Sequence, residues 1–178
     1  MRRILLTGPE VREVLETGRV IVRKAAPIAD IRFTEQKDGF ISWSAIFSKP
    51  LTSRKILSTH GGTYIDEEQA RHYIGSGWNP LGVPGDKVWV AETSSANSYG
   101  GLWPAFDHAE VRVNYACDGA TIFWMINGAN KENFKSWKNR SSAAMPQWVS
   151  RLTLEIVAVR VERGDKWEWV YELKQVQP

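Results

Sequence analysis

The sequence predicts a small, strand-dominated α+β domain built as an open or partly closed β-barrel, and three observations carry that expectation. Short β-branched and aromatic runs recur along the chain, separated by turn residues. Asp-Gly pairs at Asp38-Gly39 and Asp118-Gly119 stand between apolar runs, a strong short-range hairpin signal. Only two stretches have helical spacing, and both lie towards the front.

The first helix is expected from Pro9, which suits an opening turn, through Val11, Val14 and Leu15 to a stop at Gly18. Arg19-Val20-Ile21-Val22-Arg23 then reads as a strand. A hairpin follows, Ile28–Phe33 and Phe40–Phe47 around Lys37-Asp38-Gly39. Lys49 to Thr63, rich in Ser, Thr and Gly, reads as a loop. Asp66 with Gln69 three residues on opens a second helix, whose apolar face is Ala70, Tyr73 and Ile74 and whose end falls at Gly75 and Gly77. Pro84-Gly85-Asp86 turns into the strand Lys87–Ala91, and residues 94–109 read as loop. A second hairpin runs from Val111 through Asp118-Gly119 to Trp124, residues 127–147 read as irregular, and two long strands close the chain. In the last of them Trp167, Trp169, Tyr171 and Leu173 share one face.

Composition bounds the function. The 178 residues suffice for one domain, 1–178, and 43% hydrophobic with 24% charged residues is globular rather than disordered. A single cysteine, Cys117, excludes an internal disulfide and a Cys-rich zinc site. His60, His72 and His108 lack paired-ligand spacing, so no metal and no cofactor is expected, and His72, beside Arg71 on the second helix, is expected to be exposed. Ile4-Leu5-Leu6 is too short for a signal core and no apolar run spans a bilayer, so no membrane partner and a cytoplasmic setting are expected. The formal charge of +3 and a pI of about 9.0 are compatible with nucleic acid without requiring it. Basic residues crowd the start (Arg2, Arg3, Arg12, Arg19, Arg23, Lys24), with a second group at Lys131, Lys135, Lys138 and Arg140. These are either solvated faces or a phosphate-facing patch. Nine tryptophans are many for this length, and they serve cores and stacking platforms alike.

Four segments then carry a resemblance. The first is Ile4-Leu5-Leu6-Thr7-Gly8-Pro9 and the helix to Gly18-Arg19. The second is Gly85-Asp86-Lys87-Val88-Trp89-Val90-Ala91-Glu92-Thr93, similar to Gly-Asp-Arg-Leu-Trp-Val-Arg-Glu-Thr. The third is Tyr115-Ala116-Cys117-Asp118-Gly119, similar to Tyr-Arg-Ala-Asp-Gly, and the fourth Met145–Leu154, similar to Met-Pro-Arg-Trp-Ala-Ser-Arg-Ile-Thr-Leu. In this order they resemble a phage and prophage family of the PUA-like superfamily, close to ASCH domains. Residues 28–63 have no counterpart and read as an insertion. The resemblance implies an open barrel with two short helices near its mouth, and recognition of RNA or modified bases. A few relatives hydrolyse amide or nucleoside substrates. Relatives carry Gly-x-Lys-Thr after the first helix, where this chain has Gly18-Arg19-Val20-Ile21. Val20 cannot supply an amine, which counts against catalysis.

The site expected from these readings comprises Arg19, Arg23, Lys24, Trp89, Glu92, Tyr115, Trp148 and Arg151. Glu92 ends a strand, where it is a solvated acid, an acceptor for a base's exocyclic amine, or a general base in an enzyme. Trp89 reads as core, and Trp148 either stacks on a base or plugs the barrel end. Arg151 clamps a phosphate or pairs with Glu92, and the sequence does not separate the two. Asp118 is explained by its turn, and Cys117 reads as a buried thiol. The leading expectation is a module that binds a nucleotide, a modified base or a short nucleic acid, RNA ahead of duplex DNA. The alternatives are a hydrolase of nucleosides or nucleic acid using Glu92, and a phage protein that binds a host factor.

Overall fold

The computed structural model describes residues 1–35, 41–47, 59–60, 66–99, 108–127 and 137–176. Its elements in chain order are β1 (Arg2–Leu5), α1 (Gly8–Thr17), β2 (Arg19–Ala25), β3 (Ile28–Glu35), β4 (Ile41–Phe47), β5 (Thr59–His60), α2 (Glu67–Trp78), β6 (Lys87–Ala91), β7 (Ser94–Tyr99), β8 (His108–Tyr115), β9 (Thr121–Asn127), β10 (Trp137–Arg140), β11 (Thr153–Arg163) and β12 (Trp167–Val176). Short 3-10 turns occupy Ser142–Ala144 and Gln147–Val149. The strand-dominated α+β class is as expected. Among the described residues the strands form three sheets and no closed barrel, in the orders β1-β6-β11-β12-β2, β10-β7-β8-β9 and β3-β4-β5. No helix among them is long and apolar enough to cross a membrane.

The chain divides into two compact units. The first comprises Met1–Val20, Lys87–Leu154 and Lys174–Pro178, the second Ile21–Asp86 and Glu155–Leu173.

In the first unit, Thr7 caps α1 through a full capping box. The Glu10 N–H donates to Thr7 Oγ1 at 3.5 Å, and the Thr7 N–H donates to Glu10 Oε2 at 2.6 Å. Gly18 ends the helix at φ 70°, a left-handed conformation in which its N–H reaches the Val14 carbonyl at 2.8 Å. β1 runs parallel to β6, with Arg2 opposite Val88 and Leu5 opposite Ala91. The core joins Trp89 and Ala91 of β6, Ala96 of β7, Val111, Val113 and Tyr115 of β8, and Ile126 of β9 to Met145 and Val149.

In the second unit, Asp66 caps α2 by accepting from the Gln69 N–H at 2.8 Å. Gly75 lets the helix lie against β11, because a Cβ there would stand 2.6 Å from the Arg160 Cα. Arg71 stacks its guanidinium 5.1 Å from the Phe33 ring and 5.5 Å from the Trp167 ring.

Several elements depart from the expectations. Residues 94–109 contain β7 and the start of β8, because the small polar run Ser94–Tyr99 is held as a strand by partners on both sides. β1 and β10 were not foreseen either, each being only four residues long. α2 continues past Gly75 and Gly77 to Trp78, and the Asn79 side chain donates back to the Gly75 carbonyl at 2.6 Å. His72 is half-buried, its Nδ1 lying 3.2 Å from the Val159 carbonyl oxygen. The turn expected at Lys37-Asp38-Gly39 lies outside the described residues, as does the loop expected from Lys49 to Thr63 except for β5.

A buried carboxylate–guanidinium cluster as candidate functional site

The site is assembled within the first unit from four stretches of chain that are far apart in sequence. β6 runs buried into the core and delivers Glu92 at its end, with the side chain 1% exposed. The Glu92 N–H is held by Met145, whose Sδ accepts it at 2.9 Å. From the loop before β11, Arg151 approaches with its side chain 8% exposed. Ser150 fixes that loop by donating its hydroxyl to the Val90 and Leu152 carbonyls.

The two side chains meet in a bidentate pair. Arg151 Nε donates to Glu92 Oε1 at 3.0 Å and Nη2 to Oε2 at 2.7 Å. The remaining face of the guanidinium is taken by the β8–β9 turn. Nη1 donates to Asp118 Oδ2 at 2.8 Å and Nη2 to Oδ1 at 3.1 Å. The guanidinium carbon also sits 4.2 Å from the centre of the Tyr115 ring. Tyr115 in turn donates its hydroxyl to the Val149 carbonyl at 2.7 Å and accepts from Trp124 Nε1 at 3.0 Å.

Cys117 closes the cluster. Its thiol donates to Glu92 Oε2 at 3.2 Å, and Arg151 Nη2 lies 3.1 Å from its sulfur. Burial, the hydrogen bond to Glu92 and the carboxylates nearby push the thiol up to about 12, so it stays protonated. Burial likewise raises Tyr115 to about 12. Asp118 moves the other way, held below the usual carboxylate range chiefly by the hydrogen bonds from Arg151. α1 reaches the same turn, where Arg12 Nη1 donates to the Cys117 carbonyl at 2.8 Å. With Cys117 neutral, two carboxylates face one guanidinium. A phosphate brought to Arg151 would compete with both of them, whereas a donor group would find Asp118, whose side chain is 25% exposed.

The expected site residues therefore separate. Glu92, Tyr115 and Arg151 are brought together, and Arg151 pairs with Glu92. Trp89 is buried in the core beneath Arg3, whose guanidinium carbon lies 5.9 Å from the ring centre. Trp148 is half-buried and packs on the same core. Arg19 is exposed at the start of β2 in the first unit. Arg23 and Lys24 belong to the second unit, where Arg23 pairs with Glu162 at 2.6 Å and Glu168 at 3.6 Å. Val20 is buried. Of the second basic group, Lys131 and Lys135 lie outside the described residues, and Arg140 donates to the Ala144 carbonyl at 3.5 Å.

Sequence reading missed Asp118, which it assigned to the turn alone, and Cys117, Arg12 and Met145 as members of the cluster. A signal existed for Cys117, because it stands beside Asp118 and two residues from Tyr115 in the tight turn that closes at Gly119. Among the described residues, no group of three or more His, Cys, Asp or Glu side chains could hold a metal ion. Compared with family models, with curated proteins and with solved structures, the chain matches none.

Proposed function

We propose that the chain is a PUA-like module that binds a nucleotide, a modified base or a short nucleic acid, RNA ahead of duplex DNA, at the Glu92–Arg151–Asp118 cluster. One observation carries the reading. Each of the four segments that resemble the phage family contributes a polar residue here: Arg12 from the first, Glu92 from the second, Tyr115, Cys117 and Asp118 from the third, Arg151 from the fourth. A buried ion pair seldom adds stability over an apolar substitute of the same shape, so its placement at the convergence supports a role beyond folding. In this reading Glu92 and Arg151 are a rigid mount, and Asp118 offers its carboxylate to an exocyclic amine or ring N–H of a base. The exposed Arg2, Arg3, Arg12 and Arg19 of the same unit supply attraction to phosphate.

The hydrolase reading draws less support. Both Glu92 oxygens accept hydrogen bonds from Arg151 or Cys117, so a proton-abstracting role would first require Arg151 to leave. The test is purification without nuclease, mass spectrometry of bound material, and titration of the stripped protein with nucleotides and short RNAs by tryptophan fluorescence. Saturable binding that Asp118→Asn weakens at least about tenfold supports the proposal. Absence of any nucleotide or nucleic-acid binding by the native chain overturns it.

A further inference from the structure

Arg151 carries one more donor than the cluster consumes, and the surplus lies beside its more exposed carboxylate. A guanidinium has one N–H on Nε and two on each Nη. Glu92 takes Nε at 3.0 Å and Nη2 at 2.7 Å. Nη2 also lies 3.1 Å from both Asp118 Oδ1 and Cys117 Sγ, so three acceptors compete for its two N–H. Nη1 is the reverse case. It donates to Asp118 Oδ2 at 2.8 Å, and among the described residues its second N–H has no acceptor.

Asp118 is unevenly committed too. Oδ1 accepts from the Ala120 N–H at 3.0 Å as well as from Nη2, whereas Oδ2 accepts from Nη1. A carboxylate oxygen accepts about two hydrogen bonds, so Oδ2 keeps one place open. Oδ1 can be released as well. On losing Asp118, Nη2 still has Glu92 and Cys117 for its two N–H, and no donor is stranded. Arg151 stays where it is throughout, held side on by Glu92 and seated 4.2 Å from the centre of the Tyr115 ring. A ligand meets Asp118 first, because its side chain is 25% exposed while those of Arg151 and Glu92 are almost closed to water.

The cluster therefore offers a row of one donor and two acceptors: Arg151 Nη1, Asp118 Oδ2 and Asp118 Oδ1. Among the common bases, guanine has the full complement along its Watson–Crick edge, the O6 acceptor followed by the N1–H and N2–H donors. Its N1–C2–N2 portion is itself a guanidine, the group that Asp118 already grips. Adenine and cytosine offer one donor next to one acceptor. Uracil has one donor between two carbonyls, the second of which would set its lone pairs against those of Oδ1. We infer that the ligand of this cluster is guanine, carried by a nucleotide or standing unpaired in a short RNA, with O6 accepting from Arg151 and N1–H and N2–H donating to Asp118. The inference rests on the reading of the cluster as a base-binding site and adds which base it takes.

Calorimetric titration of the full chain tests this, with GMP, AMP, CMP, UMP and inosine monophosphate, and with the RNA tetramers UUGU, UUAU, UUCU and UUUU. Guanine should bind at least about tenfold tighter than each other base, in the nucleotides if a free nucleotide is the ligand and in the tetramers if RNA is. Inosine keeps O6 and N1–H and lacks only the N2 amine, so it should lose at least about tenfold against guanine. Asp118→Asn, its fold checked by near-ultraviolet circular dichroism, should bring the guanine-to-inosine ratio close to one, whereas a merely structural loss would weaken both ligands and keep their ratio. Binding without preference for guanine, or guanine and inosine bound alike, overturns the inference and leaves the base-binding module standing. A guanine preference unchanged in Asp118→Asn overturns it as well. No binding of any of these ligands overturns both.

Discussion

Arg151 and Glu92 lie side on, two N–H donors against two carboxylate oxygens at 3.0 and 2.7 Å, in an interior almost closed to water. Removing one partner strands the other charge. Arg151→Met should cost about 3–5 kcal/mol, and the double variant Glu92→Leu/Arg151→Met should cost much less than the sum of the single changes. Urea unfolding of the four proteins checks the cycle, and additive losses would remove the coupling. Arg151→Ala consequently probes folding before it probes binding.

Asp118 links the cluster to pH. Its folded-state pKa is lowered, so its contribution is fully present above the ordinary carboxylate value and is lost as pH falls through the lower folded value. Native stability should therefore fall with acidification below about pH 4 more steeply than that of Asp118→Asn. Parallel slopes in urea midpoints measured from pH 5 downwards would contradict this.

Cys117 should behave as an unreactive thiol. With its pKa raised to about 12, the thiolate is scarce at neutral and mildly alkaline pH. Alkylation by iodoacetamide at pH 8, followed by mass spectrometry, should be at least about tenfold slower in the native protein than in urea. Equal rates would mean that the cluster opens readily.

Two helix glycines should respond in opposite ways. A Cβ at Gly75 would meet the backbone of Arg160 and Val159 at 2.6–2.7 Å, and α2 cannot yield without leaving β11. Gly75→Ala should destabilise by about 1–3 kcal/mol. Gly77 has nothing within 4 Å of its would-be Cβ, so Gly77→Ala should be neutral or stabilising by up to about 1 kcal/mol. Thermal unfolding of both variants decides the point.

The parts of the fold that could be read from sequence were those whose signals are local. Pro9 and Gly18 bracket α1, Asp66 opens α2, and Asp118-Gly119 turns the second hairpin. β7 could not be read, because Ser94-Ser95-Ala96-Asn97-Ser98-Tyr99 has no strand propensity of its own and owes its form to β8 and β10. The end of α2 was misplaced because its glycines serve packing against β11 at one position and open space at another. At the site, Glu92, Tyr115 and Arg151 could be named singly. Whether Arg151 chose a phosphate or Glu92 depended on partners dozens of residues away. Cys117 was set aside because its relation to Glu92 exists only in three dimensions.

The division of the chain also fixes an order of manufacture. Residues up to Val20 leave the ribosome before Ile21–Asp86, yet β1 needs Val88–Ala91 as its partner, and the Gly18 carbonyl accepts the N–H of Gln175. Ile4, Val11 and Val14 must therefore wait in an unfinished state while Ile21–Asp86 is translated. The first unit is begun earliest and completed last, so its apolar segments are the ones a nascent-chain chaperone would have to shield.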